Sequence, residues 1–296
     1  MSVRGIWRIL RLPLVITAVA DVAAGYVVAL LPDPSVFDWQ RLALVAGVSA
    51  GLYLFGMVQN DLVDLRRDRL FGIPRPLVTG EIGIGAAVVL LVLAAVLAGV
   101  CGAALRGGAL VLTILTFAAI NLYNLGAKHG PASVAMLMMG LCRAMNFGIG
   151  VLAAIGTPRE VHADLFALSG PLWVRQGMAL FFATCIVTGY SIAARQQSVV
   201  TTRVWQAAFV VAAAAGFGLI ALVTILPRGG DESAQLFVPV ARVLAFLLLP
   251  ALWPGGLWSA TGPERKPEQY APFIERALYW FVVMDAAFVL DGLLIR

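Results

Sequence analysis

The stretch QNDLVDLRRDRLFGIPRPLVTG, residues 59–80, places Asn60, Asp61, Asp64 and Asp68 within three helical turns of one another. On a helix advancing about 100° per residue, with Asn60 at zero, Asp64 falls near ~40°, Asp68 near ~80° and Asp61 near ~100°. All four oxygen-bearing side chains share one face, with Arg66 and Arg69 on the other side and Arg67 at the edge. Like charges at such spacing repel unless something positive joins them. A hard divalent cation is the economical partner: Mg²⁺ takes one or two carboxylates and keeps its other positions for water and phosphate oxygens. The competing reading is an interfacial helix with a solvated charged face.

These residues need elements to hold them, and composition says what kind. The chain has 296 residues, 61% hydrophobic and 12% charged, with a mean hydropathy of +0.92, far from the balance of a soluble globular domain. Apolar runs on the order of twenty residues, long enough to cross about 30 Å of hydrocarbon, recur along its length. Nine are expected: Leu12 to Leu31, Leu42 to Val58, Ile82 to Cys101, Ala109 to Gly126, Ala132 to Ile155, Leu172 to Ala194, Trp205 to Leu226, Leu236 to Trp253 and Ala277 to Ile295. Arg4, Arg8 and Arg11 ahead of Ala18-Val19-Ala20 also fit a secretory signal, but the apolar run continues to Leu31, which a signal would not need. The expectation is an all-α integral membrane protein with one membrane domain spanning residues 1–296.

Thirteen Lys and Arg residues fall in one set of alternate connections and six in the other, with Arg143 and Arg242 inside spans. This bias predicts a cytoplasmic amino terminus, a carboxyl terminus on the opposite side, and residues 59–80 facing the cytoplasm. The net charge of +5 follows from the same bias and from attraction to anionic lipid headgroups, and gives no reason to invoke nucleic acid. Span two should continue as helix past Asn60 until Gly72 and Pro74 stop it.

The motif Asn60-Asp61-x-x-Asp64-x-x-x-Asp68, followed by Pro74-Arg75-Pro76-Leu77 and Gly80, resembles the first aspartate-rich motif of the UbiA superfamily of intramembrane prenyltransferases. The likeness extends along the chain through Arg11-Leu12-Pro13 to Gly25, Tyr123-Asn124 with Lys128, and Arg143 to Gly150. Within the superfamily, Cys142-Arg143-Ala144-Met145-Asn146 and Met284-Asp285-Ala286 look closest to the EboC-like branch. The resemblance implies nine helices around a central cavity, and the expected location is the cell inner membrane. It implies an isoprenyl diphosphate whose diphosphate is clamped by Mg²⁺ on Asn60, Asp61, Asp64 and Asp68, and whose allylic carbon is captured by a hydrophobic acceptor, lipid or aromatic. Arg75 and Lys128 are then diphosphate contacts, a planar fork and a point charge; otherwise they are topology anchors of the positive-inside type.

Arg143 and Asn146, one helical turn apart, can both face a cavity, with Asp21 and Asp285 as either ionic partners or substrate groups. Tyr123 and Tyr190 offer ring faces to a carbocation, or serve as interfacial aromatics. The three cysteines have no metal-ligand spacing and read as small packing residues. One departure stands out. Where the superfamily carries a second acidic motif, this chain has Val187-Thr188-Gly189-Tyr190-Ser191-Ile192-Ala193-Ala194-Arg195-Gln196-Gln197-Ser198, and no Asp or Glu occurs between Asp164 and Asp231. Arg195 can take over part of a second metal's role. Two readings remain: a prenyltransferase, or a non-catalytic protein that binds or moves a polyprenyl or lipid-linked precursor.

Overall fold

The computed structural model describes residues 3–31, 34–155 and 172–195 together with positions 279, 282, 285, 286 and 289. Among them the regular structure is all helical. A short interfacial helix α1, Val3–Leu10, leads into α2, Leu12–Leu30; α3 follows over Trp39–Val63 and α4 over Leu65–Leu70. Then come α5, Ile84–Leu105, α6, Gly107–Leu125, α7, Ala132–Ile155, and α8, Leu172–Arg195. Five helical segments are long and apolar enough to cross a membrane: Gly5–Leu30, Trp39–Val63, Ile84–Leu105, Gly107–His129 and Ala132–Ile155. The chain is an integral membrane protein. Its first five expected spans each coincide with one of these segments, and the sixth coincides with α8. The expected spans over 205–226 and 236–253 lie outside the described residues, as does all of 277–295 except the five single positions named above.

Each boundary has a local cause. Pro13 sits in the first turn of α2, where its missing N–H has no helical partner to lose. Asp38 caps α3 by accepting from the Gln40 and Arg41 amides at 2.7 and 3.4 Å. Gly72 leaves α4 at φ 63°, a left-handed turn that glycine adopts without steric cost. Lipid-facing α5 shows Val88, Val89, Val92, Leu93, Val96 and Val100 on its outside, as an apolar solvent allows.

The centre of the bundle is where α2 crosses α7 and α3 runs beside α5. Val22, Tyr26 and Leu30 of α2 meet Val45, Val48 and Leu52 of α3 and Ile149 and Ala153 of α7 in one buried cluster. The α2–α7 approach is backbone-close: a Cβ on Gly25 would lie 2.3 Å from the Phe147 carbonyl oxygen, and one on Gly150 2.0 Å from that of Val22. Small residues at a crossing let membrane helices gain dispersion contact that lipid cannot otherwise supply. A second cluster, Ile9 with Val58, Leu77, Ile82 and Ala87, fastens α1 and the 71–83 connection to the end of the bundle where α3 emerges.

Candidate functional site

That end gathers the motif residues. The expected helix from span two does run on past Asn60, but it steps at Asp64, whose φ of −81° and ψ of −5° separate α3 from α4. The chain stays close to helical through the step, since the Asp64 amide donates to the Asn60 carbonyl at 3.0 Å and the Asp68 amide to that of Asp64 at 2.8 Å. The motif is therefore carried on two helical segments that meet at Asp64, not on one. The three aspartates are nonetheless all buried, at 2%, 9% and 5% exposure for Asp61, Asp64 and Asp68. The acidic face is therefore enclosed, while Arg66, Arg67 and Arg69 are exposed.

Burial of three carboxylates requires compensation, and three cations from separate segments provide it. Arg11 Nη2 lies 3.2 Å from Asp61 Oδ1, and its Nη1 reaches Met57 Sδ at 3.4 Å. Arg75 lies between two carboxylates, Nη1 3.7 Å from Asp61 Oδ1 and Nε 3.8 Å from Asp68 Oδ2. Lys128 Nζ donates to Asn60 Oδ1 at 2.9 Å and stands 3.0 Å from Asp64 Oδ1, within ion-pair distance but without hydrogen-bond alignment. His129 Nε2 is a further 3.8 Å neighbour of Asp64, charged only when protonated. Burial pushes the Asp68 carboxyl up from its ordinary value; Arg75 opposes the rise, while Asp64 and Asp61 add to it.

Arg75 is held by its own loop. Val78 and Thr79 amides both donate to its carbonyl at 2.9 Å, and the Ile73 amide donates to the Asp68 carbonyl at 2.9 Å. From α1, Arg8 donates to the Pro74 carbonyl at 2.8 Å and pairs with Glu81, which also accepts from Thr79 Oγ1 at 3.2 Å. Beneath the site Gln59 Nε2 donates to Asn121 Oδ1 at 2.6 Å, and Asn124 Nδ2 donates to Gln59 Oε1 at 2.9 Å and to the Gly56 carbonyl at 3.1 Å. Asn124 thus ties α6 to α3, so its amide is spent on the fold. Tyr123, beside it, is half-buried.

Does this end fit a divalent cation? The donors are hard carboxylate and amide oxygens, and Asp61 Oδ2 is buried without a hydrogen-bond partner, as is Asp64 Oδ1. Both fit Mg²⁺ bound through one or two carboxylates. Among the described residues, however, no three His, Cys, Asp or Glu side chains converge on one point. The cations stand between them.

The second polar group lies deeper. Asp21 is ten residues beyond Arg11 on α2, about 15 Å along the helix axis. Arg143 clasps it, Nη2 to Oδ1 at 2.9 Å and Nε to Oδ2 at 2.8 Å, and also donates to the Thr17 carbonyl at 3.2 Å. Asn146 Nδ2 donates to the Ala18 carbonyl at 2.8 Å. Both α7 residues are therefore engaged with α2, and the buried Asp285 accepts from Gln176 Nε2 at 2.8 Å. The side chains of Tyr190 and Arg195, on α8, lie outside the described residues, as do Gln196 and Gln197.

Arg11 was the site residue hardest to read from sequence. Among three early arginines it looks like a topology anchor, and its partner Asp61 is fifty positions away. Its backbone is also unusual: Arg11 holds φ 46° and ψ 45°, a left-handed conformation that costs a non-glycine residue about 1–2 kcal/mol.

No protein-family model and no curated protein matches the chain. Solved structures do. A UbiA homologue from Archaeoglobus fulgidus, bound to GPP and Mg²⁺, superposes with a TM-score of 0.62 at 16% identity, covering 98% of each chain. A UbiA homologue from Aeropyrum pernix K1 in its apo state gives 0.57 at 18%, covering 94% of this chain and 97% of that one. A digeranylgeranylglyceryl phosphate synthase gives 0.51 at 16%, covering 98% of each. The chain has the fold of these UbiA homologues.

Proposed function

We propose that this protein is an intramembrane prenyltransferase of the UbiA type, moving an isoprenyl group from an isoprenyl diphosphate to a hydrophobic acceptor, lipid or aromatic. The observation that carries the reading is the buried set of three aspartates faced by Arg11, Arg75 and Lys128 at one end of an apolar bundle. A diphosphate leaves an allylic carbon only when its developing charge is neutralised, and cations in a water-poor site do this most effectively. Mg²⁺, when bound, would supply that neutralisation together with a clamp on the phosphate oxygens. Asn60, Asp61, Asp64 and Asp68 would hold it, Asp61 with its open buried oxygen first among them. Arg75 and Lys128 bring donors to the phosphate oxygens from the loop and from the turn after α6. Fold-level support comes from the A. fulgidus homologue, which was solved with GPP and Mg²⁺.

The deeper Asp21–Arg143 pair belongs to the scaffold in this reading: it joins α2 to α7 where a lone charge in the bilayer would cost roughly 2.5–3.5 kcal/mol. In this reading Tyr123 and Tyr190, expected near the cytoplasmic ends of their spans, would offer ring faces to a carbocation. On the same reading the protein is a single membrane domain in the cell inner membrane, and the charge bias of its connections predicts that the motif faces the cytoplasm.

The second reading, a binder or carrier of a polyprenyl or lipid-linked precursor, is favoured by one observation: no carboxylate occurs between Asp164 and Asp231, where a second metal site would draw its ligands. One experiment separates the two. The purified protein is incubated with Mg²⁺, native lipid extract and a labelled isoprenyl diphosphate series, and diphosphate release is followed beside mass spectrometry of any adduct. Release with an adduct supports the enzyme. Retained lipid with no release from any donor overturns it in favour of the carrier.

A further inference from the structure

Three cations that reach the motif from other segments, Arg11, Arg75 and Lys128, stand against its three carboxylates. We infer that Arg11, with Arg75 and Lys128, acts as a placeholder for the metal, so that Mg²⁺ and diphosphate bind as a cooperative pair and neither binds well alone; this rests on the metal–diphosphate reading above. Asp61 is held by Arg11 at 3.2 Å and Arg75 at 3.7 Å, Asp68 by Arg75 at 3.8 Å, and Asp64 by Lys128 at 3.0 Å. The three carboxylates are nearly inaccessible, so solvent screens these contacts little.

A divalent cation entering alone would have to push aside guanidinium or ammonium groups and leave excess positive charge in a buried place. A diphosphate entering alone would meet three carboxylates and leave excess negative charge. Entering together, the metal takes the carboxylates and the displaced cations turn to the phosphate oxygens, so the site stays close to neutral at every stage. Burial of unbalanced charge is the dominant cost in such sites, and the pair avoids it.

Arg11 is the residue best suited to the exchange. It sits at the joint between α1 and α2, it alone of the three cations has left-handed backbone, and its second contact is the weak acceptor Met57 Sδ at 3.4 Å. A residue in a costly backbone conformation gains room to change it once the metal takes the carboxylate it faces. Arg11 therefore becomes a diphosphate-facing residue of the loaded site.

The test uses the whole detergent-solubilised protein and calorimetric titration, with thermal unfolding as an independent readout. Three probes are compared: Mg²⁺ alone, geranyl diphosphate alone in chelator, and each in the presence of the other. The expected result is that each tightens the other's binding by on the order of tenfold or more, a coupling within the usual range for linked sites. Arg11→Gln should then move the two single-ligand affinities in opposite directions: Mg²⁺ alone binds more tightly, and geranyl diphosphate with saturating Mg²⁺ binds roughly tenfold more weakly, the usual loss for a charged hydrogen bond. Arg75→Gln gives the same pattern and serves if the Arg11 variant does not fold. Mg²⁺ binding that is equally tight with and without geranyl diphosphate overturns the placeholder role while leaving the metal–diphosphate site standing. Loss of both affinities together in Arg11→Gln also overturns it, since a purely structural residue has no reason to favour the metal. No binding of either probe in any combination removes the metal–diphosphate reading itself.

Discussion

Replacing Lys128 with methionine removes a charge from a place where the structure gives it two jobs. Its ammonium donates to Asn60 Oδ1 at 2.9 Å and neutralises Asp64 at 3.0 Å, and both side chains are almost enclosed, at 8% and 12% exposure. The methionine keeps the stem's apolar volume and leaves Asp64, among the described residues, facing His129 at 3.8 Å. A charged hydrogen bond is worth about 1.5–3 kcal/mol, and stripping one partner from a buried pair costs about 3–5 kcal/mol. Because the Lys128–Asp64 contact is not hydrogen-bond aligned, the lower figures apply, and the variant should lose about 2–3 kcal/mol of stability. The assay is reversible denaturation in mixed micelles of the parent, Lys128→Met, Asp64→Asn and the double variant. If the loss comes from a stranded carboxylate, Asp64→Asn should restore much of it, giving a coupling energy of about 1–2 kcal/mol, within the span for residues in contact. A residue that only anchors topology would show no coupling to Asp64 and would instead change the orientation of insertion. Full additivity of the two substitutions would refute the reasoning.

Asp64→Ala should abolish Mg²⁺-dependent binding of geranyl diphosphate while the protein still inserts and purifies as a folded species; binding equal to the parent would remove Asp64 from the metal site. Arg75→Lys should weaken diphosphate binding by about tenfold although the charge stays, because the planar fork that can grip two phosphate oxygens is lost, and titration calorimetry reads the difference directly. Gly150→Ala places a methyl about where the Val22 carbonyl oxygen already sits, so the α2–α7 crossing must open, at a cost of about 1–3 kcal/mol in unfolding measurements. Gln197→Glu should raise Mg²⁺ affinity in the presence of geranyl diphosphate if a second metal position exists, since an ionised oxygen replaces a neutral one, and an unchanged titration would argue for the carrier.

What the sequence by itself determined is whatever depends on short range and on solvent. Apolar runs of membrane length fix helices whether or not the neighbours are known, because an unpaired backbone group in lipid is too costly for anything else. The five spans described between Gly5 and Ile155 accordingly fell where the runs predict them. Co-facial Asn60, Asp61, Asp64 and Asp68 were legible from helical periodicity, and the need for a positive partner followed from their charge alone.

Only the tertiary structure decided which positive groups those are. Arg11, Arg75 and Lys128 reach the aspartates from 50, 14 and 64 residues away in Arg11–Asp61, Arg75–Asp61 and Lys128–Asp64, so no local pattern records the pairing. The step at Asp64, the engagement of Asn124 with α3, and the clasp of Arg143 and Asn146 on α2 were likewise invisible, since each depends on how closely two helices cross. Between α2 and α7 that distance is set by Gly25 and Gly150, whose missing side chains matter only once the partner backbone stands opposite them.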